Sequence, residues 1–98
     1  MTIPAASTPV AVDHLADRGR FQTVVDGGVC ELDYHLDAGV MTITHTGVPR
    51  RLEGRGIAAA LVRAALEQAR ASGWKVRPLC SYARVYMKRH AETQTLLA

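Results

Sequence analysis

The fold is decided by residues 51–62, which read Arg51-Leu52-Glu53-Gly54-Arg55-Gly56-Ile57-Ala58-Ala59-Ala60-Leu61-Val62. Two glycines, Gly54 and Gly56, stand directly before a long segment with helical spacing, so they predict a turn that opens a helix. The first N–H groups of a helix have no intrahelical partner, and the helix dipole adds partial positive charge there. Arg50, Arg51 and Arg55 place formal positive charge beside the turn. The stretch therefore predicts a site for a phosphate or for the pyrophosphate of a nucleotide-containing cofactor.

Size and composition indicate one globular domain. The chain has 98 residues, of which 48% are apolar and 21% charged. No apolar run approaches the roughly 18 residues of a membrane span, and two cysteines are too few for a disulfide framework. We therefore expect a cytoplasmic protein without a membrane partner. The net charge of +3 allows an anionic ligand, but the chain has no long basic run, so nucleic acid is not an expected partner.

The boundaries of the domain follow from its ends. Residues 1–11 lack the basic and apolar regions of a signal peptide, so we expect a flexible lead-in there. A single domain is expected over residues 12–92, with no internal repeat. We expect residues 93–98 to form a frayed C-terminal tail.

Three strands are predicted in the first half of the domain. Residues 21–26 and 40–45 are rich in β-branched side chains, and residues 29–36 alternate between polar and apolar ones. Asp26-Gly27-Gly28 and Asp37-Ala38-Gly39 are the tight turns between them. Strands joined by tight turns pair antiparallel, so a three-strand meander is expected.

A helix and a fourth strand follow the meander. From residue 58 to residue 69, small and apolar side chains recur at the spacing of one helix face. Gly73 is a natural helix terminator. Residues 74–80 predict a short strand, and the strand–helix–strand order makes it parallel to the strand at 40–45.

The last part of the domain predicts a gap in the sheet and a second helix. Pro78 has no N–H for a ladder, so we expect the two parallel strands to splay apart near their carboxyl ends, where open α/β sheets bind ligands. Residues 81–90 predict a helix with Ser81 as its N-cap. The predicted class is α+β (α/β): an antiparallel three-strand meander, a helix, a parallel strand splayed from its neighbour, and a C-terminal helix.

Three kinds of glycine-rich turn bind phosphates, and two of them do not fit. A P-loop needs Lys and then Ser or Thr after its last glycine, whereas Ile57 follows Gly56. The order Gly54-x-Gly56-x-x-Ala59 matches the residue pattern of the dinucleotide-binding fingerprint. That fingerprint also needs an acidic residue in the next strand, and residues 74–80 contain none.

The third turn belongs to a known superfamily, and other motifs of the chain agree with it. The motifs are Arg20-Phe21, Asp26-Gly27, Tyr34, His45-Thr46-Gly47-Val48-Pro49, Leu52-Glu53-Gly54-Arg55-Gly56-Ile57-Ala58, Pro78-Leu79-Cys80-Ser81-Tyr82, Tyr86 and Lys88-Arg89-His90-Ala91-Glu92. In this order and spacing they resemble the Yjdj-type N-acetyltransferase domains, the smallest members of the GNAT superfamily. The resemblance covers nearly the whole domain. It implies a minimal GNAT-like fold and an N-acetyltransferase that uses acetyl-CoA.

The resemblance also implies where coenzyme A binds. Its pyrophosphate would lie on the turn at residues 55–58, and its pantetheine arm would run between the splayed strands. The cofactor-binding residues predicted in this way are Arg55, Gly56, Ile57, Ala58, Gly54, Thr46, Val48, Tyr86, Arg89 and His90. An alternative for His90 is to cap the last carbonyls of its helix. Glu53 stands where the superfamily usually carries Gln or Arg, so it is given no binding role.

Cys80 is the candidate nucleophile. A thiol between the end of a strand and the start of a helix gains thiolate character from the helix dipole, and Arg84 one turn later would add to it. Such a thiolate can take an acetyl group from a thioester and pass it to an amine. In the resembled family the matching cysteine is regarded as the active-site residue. The structural alternative is a cysteine that packs in the core, as we expect for Cys30.

His45 is the candidate base. It ends the strand that is expected to neighbour the strand of Cys80, so it would face the thiol across the gap. Alternatively, it is a core histidine, because it shares strand parity with Met41 and Ile43. No pair of histidines or cysteines has metal-ligand spacing, so no metal is expected.

Two other classes of function stay open. The same turn without an acceptor site would make a non-catalytic acyl-CoA-binding or sensing module. An anion or nucleic-acid binder would use the arginines near the turn together with Lys88 and Arg89, and its binding would fall steeply with salt. The chain lacks the segments with which larger members of the superfamily enclose the acceptor. We therefore expect an open site for an unidentified amine, of a small molecule or a protein, on a monomer or weak dimer.

Overall fold

The structure of the protein is a computed structural model, which describes residues 10–98. Its elements are β1 (Asp13–Leu15), a 3₁₀ turn (Ala16–Arg18), β2 (Arg20–Val25), β3 (Gly28–Asp37), β4 (Val40–Gly47), a 3₁₀ turn (Arg50–Leu52), α1 (Ile57–Ser72), β5 (Lys75–Pro78), α2 (Ser81–Arg89) and a 3₁₀ helix (Ala91–Leu96). The expected lead-in at residues 1–11 falls outside the described residues except for Val10 and Ala11. Val10 packs against the core.

Five strands form one sheet in the order β1-β2-β3-β4-β5. The first four pair antiparallel in succession, and β5 pairs parallel to β4. These pairings confirm the predicted α+β class, in which a meander is followed by a helix and a parallel strand. The meander has four strands instead of three. The strand β1 was not predicted, because its three residues are too few to show an alternating pattern.

One face of the sheet carries the hydrophobic core. Residues opposite one another across a ladder share a face, and the pairs Phe21 with Leu32 and Thr23 with Cys30 are all buried. Cys30 is therefore a core residue, as the alternation in β3 indicated. The opposite face, which we call the open face, carries no buried side chain among the described residues.

The helix α1 covers the core face and buries the predicted stripe. Its buried residues are Ile57, Leu61, Val62, Ala65, Leu66 and Ala69. Ala58, the first residue of that stripe, is only partly buried. The helix ends at Gly73, whose φ of 72° is a left-handed conformation that glycine adopts without strain. No helix of residues 10–98 has the length and apolar character needed to cross a membrane.

The C-terminal tail is ordered, which corrects the expectation of a frayed end at residues 93–98. Thr93 and Leu96 are buried, and Leu97 forms a parallel bridge with Val76 of β5. The Lys75 ammonium donates to the carbonyl of Thr95 at 2.9 Å. This packing was not predicted, because the segment is too short to show a periodic apolar pattern.

Candidate active site

The strands β4 and β5 part at one point. Their ladder ends at the pair of Ile43 and Pro78. Beyond this pair, the N–H groups of Leu79 and Cys80 both donate to the carbonyl of Ile43, at 3.0 Å each. The chain then turns into α2, so the edge of β4 that faces β5 has no strand partner after Ile43. The predicted splay is thereby confirmed, at the position that Pro78 indicated.

A β-bulge at Thr44 changes which side chains of β4 face the core. In the ladder with β3, Ile43 lies opposite Tyr34 and His45 lies opposite Asp33, so Thr44 has no partner. The Thr44 hydroxyl donates to the carbonyl of Asp33 at 3.3 Å. Because the bulge adds one residue, the side chains after it occupy the faces opposite to those that simple alternation predicts.

The glycine turn, residues 53–56, leads into α1. Gly54 and Gly56 have φ values of 82° and 79°, which residues with a Cβ rarely adopt. The N–H groups of residues 54–59 donate to no backbone carbonyl in the described chain, and the helical ladder starts with the N–H of Ala60. These free donors, with the helix dipole behind them, are suited to an anion.

A cavity of about 500 Å³ opens between the parted end of β4, the glycine turn and the start of α2. It is lined by Thr46, Gly47, Val48, Leu52, Glu53, Gly54, Gly56, Ile57, Ala58 and Tyr82. The predicted cofactor-binding residues that do not line it are Arg55, Tyr86, Arg89 and His90. Gly47 and Leu52 line the cavity although no site role was predicted for them. The only signal in the sequence is that Gly47 follows Thr46 and that Leu52 precedes the glycine turn.

Cys80 is the N-cap of α2 and lies beside this cavity. Its sulfur is 3.5 Å from the hydroxyl oxygen of Thr46, which lines the cavity. Burial raises the pKa of the Cys80 thiol, but hydrogen bonds from the Thr46 hydroxyl and from the N–H groups of Ala83 and Tyr82 outweigh burial and bring the pKa below its usual value. The thiolate is the nucleophilic form, so these contacts favour a reactive cysteine.

Two details of α2 correct the sequence prediction. The N-cap is Cys80 and not Ser81, because Cys80 is the last residue with an extended backbone, at φ −64° and ψ 130°. Arg84 is not among the groups that lower the pKa of the Cys80 thiol. Its guanidinium donates instead to the carbonyl of Leu79 at 3.1 Å.

The chain matches, over residues 20–96, the family model described as GCN5-related N-acetyl-transferase. It belongs to the GCN5-related N-acetyltransferase family. The protein is therefore an acyltransferase, and the resemblance noted from its motifs is confirmed. Among solved structures it is similar to the NMR structure of a GCN5-like protein from Staphylococcus aureus, named there as a candidate N-acetyltransferase. The two are 25% identical over 91% of this chain and 88% of that chain, with a TM-score of 0.72. No curated protein matches the chain in sequence.

The acetyltransferase carries His45 on its open face and not beside Cys80. The imidazole Nε2 donates to Glu31 Oε1 at 3.2 Å, and the His45 side chain is about half exposed. The bulge at Thr44 places it there. This position corrects both expectations for His45, because it neither faces the thiol nor shares the core face with Ile43.

The pair of Glu31 and His45 packs directly on Gly47. A Cβ on Gly47 would lie 2.7 Å from Glu31 Oε1 and 2.8 Å from His45 Nε2, so only glycine leaves room for the pair in this arrangement. Gly47 also lines the cavity, so the pair and the cavity are neighbours through this residue. A second ion pair, Arg20 with Asp33 at 2.8 Å, lies on the same face. Residues 10–98 contain no group of His, Cys, Asp or Glu arranged to hold a metal ion.

Two predicted residues at the end of α2 contact each other. His90 Nδ1 donates to the carbonyl of Tyr86 at 2.7 Å, and the two rings stack with 3.9 Å between their centroids. His90 therefore caps its helix, as the alternative for this residue held. Burial raises the pKa of Tyr82, the neighbouring Tyr86 raises it further, and Arg89 lowers it. Arg89 follows Tyr82 by two helical turns, so both lie on the same side of α2.

The predicted cofactor-binding residue Arg55 lies in the glycine turn but directs its side chain away from the cavity lining. Its guanidinium Nη1 donates to Asp26 Oδ2 at 2.7 Å. Both side chains are more than half exposed to solvent. At the start of α1, Arg55 therefore offers a ligand its backbone N–H, as its neighbours do, and not its guanidinium.

Proposed function

We propose that the protein transfers the acetyl group of acetyl-CoA to an amine, with the cofactor held across the glycine turn and the parted strands. The observation that carries this proposal is that one cavity is lined both by the start of α1 with its glycine turn, where the N–H groups have no backbone partner, and by the unpaired end of β4. The free N–H groups suit a diphosphate. A free strand edge suits the amides of a pantetheine arm, since it offers alternating donors and acceptors. The site therefore fits coenzyme A.

The residues predicted for cofactor binding divide into three groups under this proposal. The N–H groups of residues 55–58 hold the diphosphate. Thr46 and Val48 line the path of the pantetheine arm along β4. Arg89, on the same side of α2 as Tyr82 and Tyr86, offers a cation to a further phosphate. When bound, the cofactor supplies an activated acetyl thioester.

Cys80 is proposed as the acetyl carrier. Its thiolate attacks the carbonyl carbon of the thioester, the carbon–sulfur bond to coenzyme A breaks, and the acetyl group becomes a thioester of Cys80. An amine then attacks this thioester, the Cys80 thiolate leaves, and an amide forms. The Thr46 hydroxyl and the N–H groups at the start of α2 support the thiolate in both steps.

His45 is proposed to take the proton that the acceptor amine loses. The support is its contact with Glu31, because the imidazole Nε2 donates to that carboxylate and Nδ1 is then the ring nitrogen that can accept a proton. The pair adjoins the cavity through Gly47, so an amine that enters over Gly47 from the open face passes the imidazole before it reaches the acetyl thioester of Cys80. This role needs no contact between His45 and Cys80.

The acetyl carrier is tested by the mass of the intact protein after incubation with acetyl-CoA. We expect one added acetyl group, labile to hydroxylamine, on the wild type and on Cys30→Ala, and none on Cys80→Ala. Cys30→Ala is the matched control because it removes the buried thiol. If the wild type binds coenzyme A by calorimetry but carries no adduct, Cys80 is not the acetyl carrier and only packs in the protein. Direct transfer to the amine, or a sensing role, would then remain.

The cofactor site is tested by Gly56→Val. A side chain at this φ of 79° is strained and blocks the approach of a phosphate to the turn, so coenzyme A affinity should fall roughly tenfold or more. Gly73→Val is the matched control, since Gly73 has a similar φ of 72° at the other end of α1. Unchanged affinity in a folded Gly56→Val variant would remove the proposed diphosphate site.

A further inference from the structure

The β2–β3 hairpin holds the segment around the glycine turn through one residue, Asp26. Arg55 in the turn donates to the Asp26 carboxylate at 2.7 Å. Arg51, in the 3₁₀ turn before it, donates to the Asp26 carbonyl at 2.9 Å. These bonds join residues 29 and 25 positions apart in the chain. Two arginines beside the proposed diphosphate site are thus held by one hairpin residue.

The same hairpin packs closely on the segment that leads to the turn. A Cβ on Gly28 would lie 2.7 Å from Leu52 Cδ1 and 3.3 Å from Pro49 Cγ, so this contact requires glycine. Leu52 is fully buried. The chain is therefore fixed on the hairpin up to Leu52, immediately before the glycine turn begins.

The glycine turn itself has little else to hold it. All four of its residues are exposed, and two are glycines, which have the greatest backbone freedom. Within residues 10–98, the Arg55 side chain is the only one of the turn that makes a hydrogen bond. Arg55 stands between Gly54 and Gly56, so its contact with Asp26 restrains both glycines at once.

We propose that Asp26 is a positioning residue of the cofactor site, whose carboxylate holds Arg55 and so keeps the N–H groups of the glycine turn directed at the diphosphate before the cofactor binds. This inference rests on the proposed function, because it takes the turn as the diphosphate site. The guanidinium of Arg55 acts here through Asp26 and not by contact with a phosphate. Ordering the turn in advance lowers the entropy lost on binding.

The test is a double-mutant cycle on coenzyme A binding, measured by calorimetry with Asp26→Asn, Arg55→Gln and the double variant. Asparagine tolerates the φ of 48° at position 26 and keeps the carbonyl that Arg51 uses, so the hairpin persists. Each single variant should raise the dissociation constant about two- to fivefold, the effect of an exposed ion pair. The double variant should bind no more weakly than either single variant, because both remove the same contact.

Two controls separate positioning from a general effect on the fold. Asp37→Asn changes an exposed aspartate of the other hairpin and should leave coenzyme A affinity unchanged. Asp26→Asn should weaken 3′-dephospho-CoA as much as coenzyme A, and should not weaken pantetheine, which lacks the diphosphate. Equal losses for all three ligands would mean that Asp26 only supports the fold.

Other outcomes also overturn the proposal. Tighter binding by Asp26→Asn would mean that Asp26 competes with the diphosphate for Arg55. If Arg55→Gln lowers coenzyme A affinity by the same factor in the wild type and in Asp26→Asn, the guanidinium contacts a phosphate itself. A wild type that binds no coenzyme A would refute the proposed function instead. In that case, backbone NMR order parameters of Gly54 and Gly56 in the free protein test whether Asp26 restrains the glycine turn. Lower values in Asp26→Asn support the restraint, and unchanged values refute it.

Discussion

The two ends of β4 have different surroundings. From residue 40 to residue 43, the strand pairs with a neighbour on each side, and the side chains of Met41 and Ile43 are fully buried. From residue 45 to residue 47, it pairs with β3 alone, and its other edge faces the gap to β5. A strand with two partners has its N–H and C=O groups satisfied, whereas a free edge offers them to a ligand. One strand thus supplies stability at its first end and a binding edge at its second.

The bulge at Thr44 marks the boundary between the two ends. Before it, alternation places Ile43 in the core. After it, Thr46 turns toward the thiol of Cys80, and His45 turns to the open face. Because of this one unpaired residue, Thr46 contacts Cys80 from the core side of the sheet, whereas His45 lies on the open face.

The two ends of β4 should contribute very differently to the free energy of unfolding. Ile43→Ala removes a fully buried side chain at the paired end, so the free energy of unfolding should fall by about 2–5 kcal/mol. Thr46→Ala at the open end should lower it by less than about 1 kcal/mol. Urea denaturation followed by circular dichroism measures both. Equal losses would contradict the division of β4 into a paired end and a binding end.

At the open end of β4, the Thr46 hydroxyl should control the reactivity of Cys80. Thr46→Val removes a hydroxyl that helps to lower the pKa of the Cys80 thiol, so that pKa should rise. Alkylation of Cys80 by iodoacetamide at pH 7 should slow by roughly two- to tenfold, because one pKa unit is a tenfold change in thiolate. Thr46→Ser is the matched control and should keep most of the rate. A pH profile of alkylation that is the same in Thr46→Val would show that the hydroxyl does not support the thiolate.

The sequence could predict those parts of the fold that a periodic pattern encodes. Alternation indicated β3, the helical stripe indicated α1, and the missing N–H of Pro78 indicated where β4 and β5 part. The strand β1 and the ordered tail show no such pattern, since each is short and is held by contacts with distant strands. A local pattern carries no information on such contacts.

The parts of the candidate site that lie in contiguous sequence motifs could be predicted. The glycine turn and Thr46 lie in motifs, and both line the cavity. The position of His45 was not predictable, because the register of β3 against β4 decides the bulge, and Thr44 looks like any other β-branched strand residue. Arg55 was predicted from its charge, but its partner Asp26 belongs to a hairpin 29 residues away.

The thiol at the open end, Cys80, and the thiol in the core, Cys30, should change the free energy of unfolding in opposite directions as pH rises. The pKa of Cys80 is lowered in the fold, so between that pKa and the usual thiol value of about 8.5 the unfolded state binds more protons. The free energy of unfolding that Cys80 contributes therefore rises with pH across this window. Burial and the Glu31 carboxylate raise the pKa of Cys30 despite Arg51. Its contribution therefore falls as pH rises above about 8.5.

Denaturant unfolding of the wild type, Cys80→Ala and Cys30→Ala from pH 7 to about 9.5 tests these opposite signs. The stability difference between wild type and Cys80→Ala should grow with pH, and the difference between wild type and Cys30→Ala should shrink, each by about 1 kcal/mol or less. Tyr34 and Tyr82 also have raised pKa values, but they are present in all three proteins and cancel in the differences. Slopes of the same sign would mean that the two thiols do not occupy opposite environments, and Cys80 would then be a second core cysteine.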